Sequence, residues 1–389
     1  MRLITLDVLR GIAILGILLR NIESFGLMSS AYINPLAFGE PLPAEWVIWL
    51  LNHLIAEEKF ITILTMLFGA GIVLMAQGSP GPGSDFEIRF RRRMWWLLLF
   101  GLVHALLLWP GDILAAYALC GLMAVRLRHK SPLDLVILAV LLYAAAMILW
   151  ILISAFLLFL MPMETVQALA ATYWGPTSEV IARETARLTS EWVAQTGERM
   201  LSAMGAQVWM FASDRIFRML GMMLLGMALL RVGFLSGQWS LHDYRRIAAA
   251  GLMLGVPVVI LGIWFNHAVG WDFRYSLFLG RIANHWASVA IALAWISIAI
   301  ITLKSGLSSF ILRALEAVGR LAMTNYIMQS VIASAIFYGF GLGMFGQFDK
   351  GQLMGVVLAI WGFQITFSLA WRHYIGGGPL ERLWRWLSR

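Results

Sequence analysis

Ten apolar runs, separated by short charged segments, organise this chain. They cover Leu3–Phe25, Lys59–Ala76, Met94–Leu108, Ile113–Val125, Leu133–Leu160, Val208–Leu230, Ile247–Asn266, Ile282–Leu303, Leu321–Phe345 and Leu353–Trp371. A helix that crosses a bilayer needs about 20 mostly apolar residues. Most of the runs meet that length. The third and fourth are short. They either cross separately or form a tight helical hairpin broken at Trp109-Pro110-Gly111, where proline interrupts the backbone ladder. The pattern predicts an all-α, polytopic membrane bundle of about ten transmembrane helices, with residues 1–389 as one transmembrane domain.

Two intervals between runs are long. Gly26–Glu58 holds no Lys or Arg, and its Trp46, Trp49 and Leu50 predict a helix lying at the membrane interface. Residues 161–207 are the most polar part of the chain. Ile181, Leu188 and Trp192 recur there at helical spacing among Glu184, Arg187 and Glu191. That predicts an extracytoplasmic amphipathic helical insertion, either a cover for the bundle or a lid that recognises an acceptor.

Composition agrees with the pattern. Of 389 residues, 60% are hydrophobic and only 13% charged, against roughly 45–50% and about 25% in a soluble domain. A water-exposed fold is excluded. The net charge of +8 sits in short loops, so it speaks for topology and not for nucleic acid. Alternate segments carry Arg2, then Arg89 to Arg93, Arg126 to Lys130, Arg231 to Arg246, Lys304 to Arg320 and Arg372 to Arg389. The opposite set holds only Arg183, Arg187, Arg199, Arg274, Arg281 and Lys350. Both termini are therefore expected in the cytoplasm. Gly11 to Leu19 is followed by Arg20 and Asn21 instead of a small-residue cleavage site, so it reads as a retained span. The single cysteine, Cys120, excludes an intrachain disulfide, and no clustered His or Cys motif predicts a metal. Small residues on membrane faces would permit a homodimer.

Charged groups inside spans are costly, about 2.5–3.5 kcal/mol each at the centre. The first run nevertheless carries Asp7, Arg10, Arg20, Asn21 and Glu23. Arg10 and Asn21 lie eleven residues apart, about 16 Å along the helix and about 20° from three full turns, so they share a face. They would line one polar path, or Asp7 and Arg10 would pair while Arg20 snorkels outward. A second cluster is His104 with Asp112. A carboxylate that fixes an imidazole is the arrangement of general-base chemistry; Asp112 would equally cap the fourth span. Arg215 and Arg218 would bind an anion or pair with Glu23 or Asp112. Asn284 and His285 open the eighth run. Asn325 and Gln329 would meet a polar ligand or cross-link helices.

The segments Leu6-Asp7-Val8-Leu9-Arg10-Gly11, Leu67-Phe68-Gly69-Ala70-Gly71, His104 to Leu114, Gly319 to Gln329 and Gly378 to Arg385 resemble the YeiB family of bacterial inner-membrane proteins. The opening, Asp-x-x-Arg-Gly with Arg-x10-Asn, more distantly resembles the first span of heparan-alpha-glucosaminide N-acetyltransferase and the Arg-x10-His span of the acyltransferase-3 family. That resemblance implies acyl transfer from cytoplasmic acyl-CoA, as co-substrate, to a hydroxyl or amine on the far side. Arg10, Asp7, Arg89, Arg92 and Arg93 would face the CoA, and Asn21 or Arg20 the oxyanion. Two departures matter. The acyltransferase-3 histidine is Asn21 here, and no histidine stands near Tyr32–Asn34, where the heparan enzyme has its own. The base would then be His104, supported by Asp112. The alternatives are a transporter of a small metabolite or amphiphile, with Arg215, Arg218, His285, Asn284, Asn325 and Gln329 lining a pathway, and a lipid-binding protein without turnover.

Overall fold

A computed structural model describes residues 4–77, 85–191, 197, 200–205, 207–208, 214–306 and 309–389. Arg2, Leu3, Trp192, Arg199 and part of the sixth apolar run, residues 209–213, lie outside the described residues. The longer helices are α1 (Ile4–Gly26), α2 (Pro43–Ile55), α3 (Lys59–Ala76), α4 (Asp85–Leu107) and α5 (Leu114–Ala124). They continue as α6 (Pro132–Phe159), α7 (Met163–Tyr173), α8 (Ser178–Thr189), α9 (Arg215–Arg231) and α10 (Leu241–Ala268). The last are α11 (Ile282–Lys304), α12 (Ser309–Arg320), α13 (Ala322–Phe337), α14 (Lys350–Tyr374) and α15 (Pro379–Leu387).

The outer helices carry the argument for a membrane. Pro43–Ala76, Pro132–Phe159, Leu241–Ala268, Leu279–Lys304 and Lys350–Tyr374 are long and apolar enough to cross one. The most hydropathic of them, α6, is only 22% buried within the bundle. Its outward positions include Ile137, Leu141, Ile148, Leu152 and Phe156. In water such a surface would aggregate; against lipid tails it is matched. The protein is a polytopic α-helical membrane protein.

The inner helices invert that distribution. Helix α1 is the central element, packed against α3, α12, α13 and α14. It carries the charges and is mostly buried. Helix α9 lies between α3 and α6. Where α3 and α9 cross, a Cβ on Gly69 would stand 1.9 Å from the Met223 carbonyl oxygen, and one on Gly226 would stand 1.9 Å from that of Met66. The two backbones thus touch, which only glycine at both points allows. The start of α1 and the C-terminal helix α15 belong to one end of the bundle, called basal below. There Arg320 at the end of α12 approaches Asp7 of α1 at 3.6 Å, and α15 packs against α4. The opposite end is called apical.

Two boundaries differ most from the hydrophobic pattern. Helix α4 begins at Asp85, because the Arg-rich stretch before Met94 is itself helical; the hydrophobic count ends where the helix turns polar. The short element of the hairpin is α5, with 11 residues. The run Leu321–Phe345 is also not one helix. Helix α13 stops at Phe337, and the chain then folds back through Gly339, Gly341, Gly343 and Gly346, where glycine favours turns over helix. Helix α8 lies within the polar interval 161–207. Its Leu188, with Val180 and Ile181 beside it, packs into the apical cluster that contains Phe25 and Trp109.

Candidate functional site

The turn Trp109-Pro110-Gly111 ends the α4–α5 hairpin and returns the chain so that Asp112 meets His104. His104 Nδ1 lies 2.8 Å from Asp112 Oδ1, and the two residues are 2% and 0% exposed. The other carboxylate oxygen, Oδ2, accepts the Ala115 N–H at 2.9 Å. Asp112 therefore caps α5 and holds the imidazole at once, so the two roles expected of it coexist. With its proton on Nδ1, His104 keeps a lone pair on Nε2, and that atom is buried without a hydrogen-bond partner among the described residues. The rings of Tyr326 and Trp109 lie 5.2 and 6.3 Å away. Trp109 stacks in turn on Phe25, at 4.4 Å, one helical turn beyond Asn21 on α1. The Asn21 side chain is half-buried and makes no hydrogen bond among the described residues.

Beside this dyad the apical end holds a web of buried charges. Arg20 pairs with Glu23 at 2.5 Å and with Glu57 at 3.1 Å, and donates to the Tyr32 carbonyl. It does not snorkel; it is 4% exposed. Its guanidinium also lies 4.2 Å over the Tyr32 ring, and burial pushes the Tyr32 phenol up to about 12. Glu57 accepts from His53 at 2.8 Å. Lys59 donates to the His53 carbonyl at 2.6 Å and to Asn284 Oδ1 at 2.5 Å. Glu58 bridges Arg218 and Arg281, the latter at 3.2 Å. Arg218 also reaches Asp214 at 3.3 Å, so its partners are neither Glu23 nor Asp112. Arg215 is exposed. His285 stacks on Tyr143 at 3.7 Å, with its Nε2 3.0 Å from the Tyr143 carbonyl.

Of the remaining polar residues of the spans, Asn325 and Gln329 serve packing. Arg10 pairs with Asp7 at 2.9 Å. Gln329 donates to the Ile14 carbonyl at 2.9 Å and to Gln364 at 3.0 Å, and Asn325 donates to Ser368 at 3.0 Å. These bonds tie α1, α13 and α14 together and leave Asn325 and Gln329 committed between helices.

At the basal end Arg89 and Arg92 are exposed, whereas Arg93 is half-buried. The Arg93 guanidinium lies 4.4 Å over the Trp384 ring, and Trp384 Nε1 donates to the Arg93 carbonyl at 2.9 Å. Two cavities of about 430 and 240 Å³ meet at Arg93 and Arg385. The structure thus brings His104 to Asp112, and Arg20 to Glu57. It gathers Arg89 and Arg93 with Arg320, Arg372 and Arg385, the last three of which were expected only as loop charges. Glu57, Glu58 and Lys59 were also missed as a unit, although three consecutive charges at the mouth of an apolar run were a visible signal.

A helical membrane bundle with a charged central helix and a buried His–Asp dyad is the class that these features define. Residues 229–389 match the family described as "Protein of unknown function (DUF418)". The chain is 34% identical over 392 residues to the "Uncharacterized protein YeiB" of Escherichia coli (strain K12), covering 100% of this chain and 96% of that one. It is 30% identical over 409 residues to the "Uncharacterized protein YxaH" of Bacillus subtilis (strain 168), covering 99% and 93%. The chain belongs to the YeiB family. No solved structure matches it.

Proposed function

We propose that this protein is a membrane acyltransferase of the bacterial inner membrane, with ten transmembrane helices and its basal end in the cytoplasm. It moves an acyl group from cytoplasmic acyl-CoA to a hydroxyl or amine acceptor at the apical side. The observation that carries this reading is the free, buried Nε2 of His104, whose other ring nitrogen is held by Asp112. The acceptor O–H gives its proton to Nε2, and the acceptor oxygen bonds to the acyl carbon as the carbon–sulfur bond breaks. The proton then passes from Nε2 to the departing sulfur, so the products are an ester and a free thiol. Asp112 supports the imidazolium between the two transfers. An acyl thioester supplies the activated carbonyl and a leaving group that needs only this one proton.

The donor side fits on this chain's own residues. Arg93 and His104 are eleven residues apart on α4, hence about 16 Å along one face, a span that a pantetheine arm bridges. Arg10 and Asn21 repeat that spacing on α1. Arg10, Asp7, Arg89, Arg92 and Arg93 stand on the phosphate side. Asn21, its amide uncommitted, is the oxyanion donor. Arg20 is occupied by its carboxylates and fixes the shape of the apical end. Tyr32, protonated and under Arg20, does not replace His104 as base.

The test is thiol release from acetyl-CoA by protein reconstituted in bacterial-lipid vesicles, supplied with a polar-lipid and saccharide extract as acceptor. His104→Ala and Asp112→Asn lower release at least about 100-fold, while Asp112→Asn, which can still cap α5, leaves the thermal midpoint near that of the unaltered protein. Release unaffected by either change removes His104 from the mechanism. Uptake of a solute into the vesicles without any thiol release would favour the transport reading.

A further inference from the structure

The basal cavities carry a second assignment. The larger, of about 430 Å³, is walled by Arg93, Arg320, Arg372, Arg385, Glu381 and Trp384; the smaller, of about 240 Å³, adds Arg89 and Arg389. The two acids beside the larger cavity's arginines on α12, α14 and α15 are committed. Glu316 takes Arg320 at 2.6 Å and Arg372 at 3.0 Å. Glu381 accepts the Met323 and Thr324 N–H groups and the Thr324 hydroxyl, capping α13 from outside it. Among the described residues, that leaves Arg89, Arg93, Arg385 and Arg389 without an ion pair and the buried Nε of Arg93 without a hydrogen-bond partner.

Topology alone accounts for arginines on this side of a membrane. It does not account for their convergence on shared cavities. Nor does it account for the turn that shapes the wall. A Cβ on Gly377 would come 2.5 Å from the Arg385 guanidinium, and one on Gly378 would come 2.0 Å from the Glu381 carboxylate. The bare glycine backbone makes room for these two side chains. The Trp384 ring, under Arg93, holds one guanidinium flat at the rim. Several guanidiniums around two joined lobes, with no carboxylate left to answer those between them, suit a ligand with two separated phosphate groups.

We infer that this arginine cradle, assembled from α4, α12, α14 and α15, binds the phosphate-bearing end of such a ligand, with Arg385 and Arg93 shared between its two phosphate positions. The inference rests on the acyl-CoA reading for the ligand's identity, but the same chemistry is offered by a nucleotide such as CoA and by anionic phospholipid headgroups.

The experiment uses full-length protein in phosphatidylcholine nanodiscs, titrated with CoA and, separately, with inorganic pyrophosphate, and repeated in discs containing phosphatidylglycerol. CoA binds, more weakly as salt rises. Arg385→Gln weakens it at least tenfold, Arg385→Lys recovers part of the loss, and Arg389→Gln weakens it through the smaller lobe. Arg382→Gln, an exposed arginine of the same helix outside both cavities, leaves it unchanged. Because Arg385 and Arg389 are exposed, their loss does not unfold the protein. Phosphatidylglycerol that displaces CoA, or that binds in its place through Arg385, assigns the cradle to lipid phosphate. Binding of every probe undiminished in Arg385→Gln, or absent from the unaltered protein, overturns the assignment. His104→Ala is expected to bind CoA as tightly as the unaltered protein. A failed base with an intact cradle, and the reverse, are therefore distinguishable.

Discussion

Glu58 shows what a single residue holds in this bundle. Among the described residues it is one of two non-glycine residues with a left-handed backbone, at φ 68°, a conformation that costs of order 1 kcal/mol or more. Its carboxylate meets guanidiniums from two other helices, while its neighbour Glu57 turns the other way to Arg20. The strained backbone is what lets adjacent carboxylates face opposite partners. Removing one member of a buried pair leaves a charge without compensation and costs about 3–5 kcal/mol. Glu58→Gln should lose stability on that scale in denaturant or thermal unfolding. A loss below about 0.5 kcal/mol, the range of an exposed pair, would mean that the web is solvated. The composition of this web was legible in the sequence as charges that needed a reason. Its pairing was not, because Glu58 and Arg218 are 160 residues apart and no local spacing connects them.

At the scale of the element, hydrophobic periodicity located the helices and missed their polar ends. It found Lys59–Ala76 with the bounds that the structure has. It clipped α4 and overran α13, because apolar content continues where glycines end the helix and stops where arginines continue it. The contact between α3 and α9 was equally silent, since a glycine in an apolar run does not announce its neighbour. Gly69→Ala would push a methyl group to 1.9 Å from a backbone oxygen and force the helices apart, costing about 1–3 kcal/mol. Gly71→Ala, two residues on, meets nothing closer than 4.0 Å and serves as the control. Equal thermal midpoints for the two variants would contradict the backbone contact.

At the scale of the molecule, the layers are inverted relative to a soluble protein: apolar side chains face outward on α6, α10 and α14, and charges gather within. Class and family were readable from composition and motifs. The His104–Asp112 dyad was readable too, because a proline-glycine turn between them limits the geometry to a hairpin. The arginine cradle was not readable, since it assembles from α4, α12, α14 and α15. Orientation can be checked with the native cysteine in place, because Cys120 is buried. In Glu40→Cys the new thiol should react with an impermeant maleimide on intact cells, and in Arg382→Cys only after permeabilisation. The reverse pattern would place the cradle outside and remove cytoplasmic CoA as its ligand.

The charges of the apical web also bear on how the protein is made. Glu58 leaves the ribosome 160 residues before Arg218. At about 5–20 residues per second that interval is on the order of ten to thirty seconds. Through it, Glu58 at the mouth of α3 is a carboxylate whose partners Arg218 and Arg281 do not yet exist, and lipid tails offer none. Nascent α3 is therefore expected to stay beside the insertion machinery, and to pass into the bilayer together with α9 instead of before it.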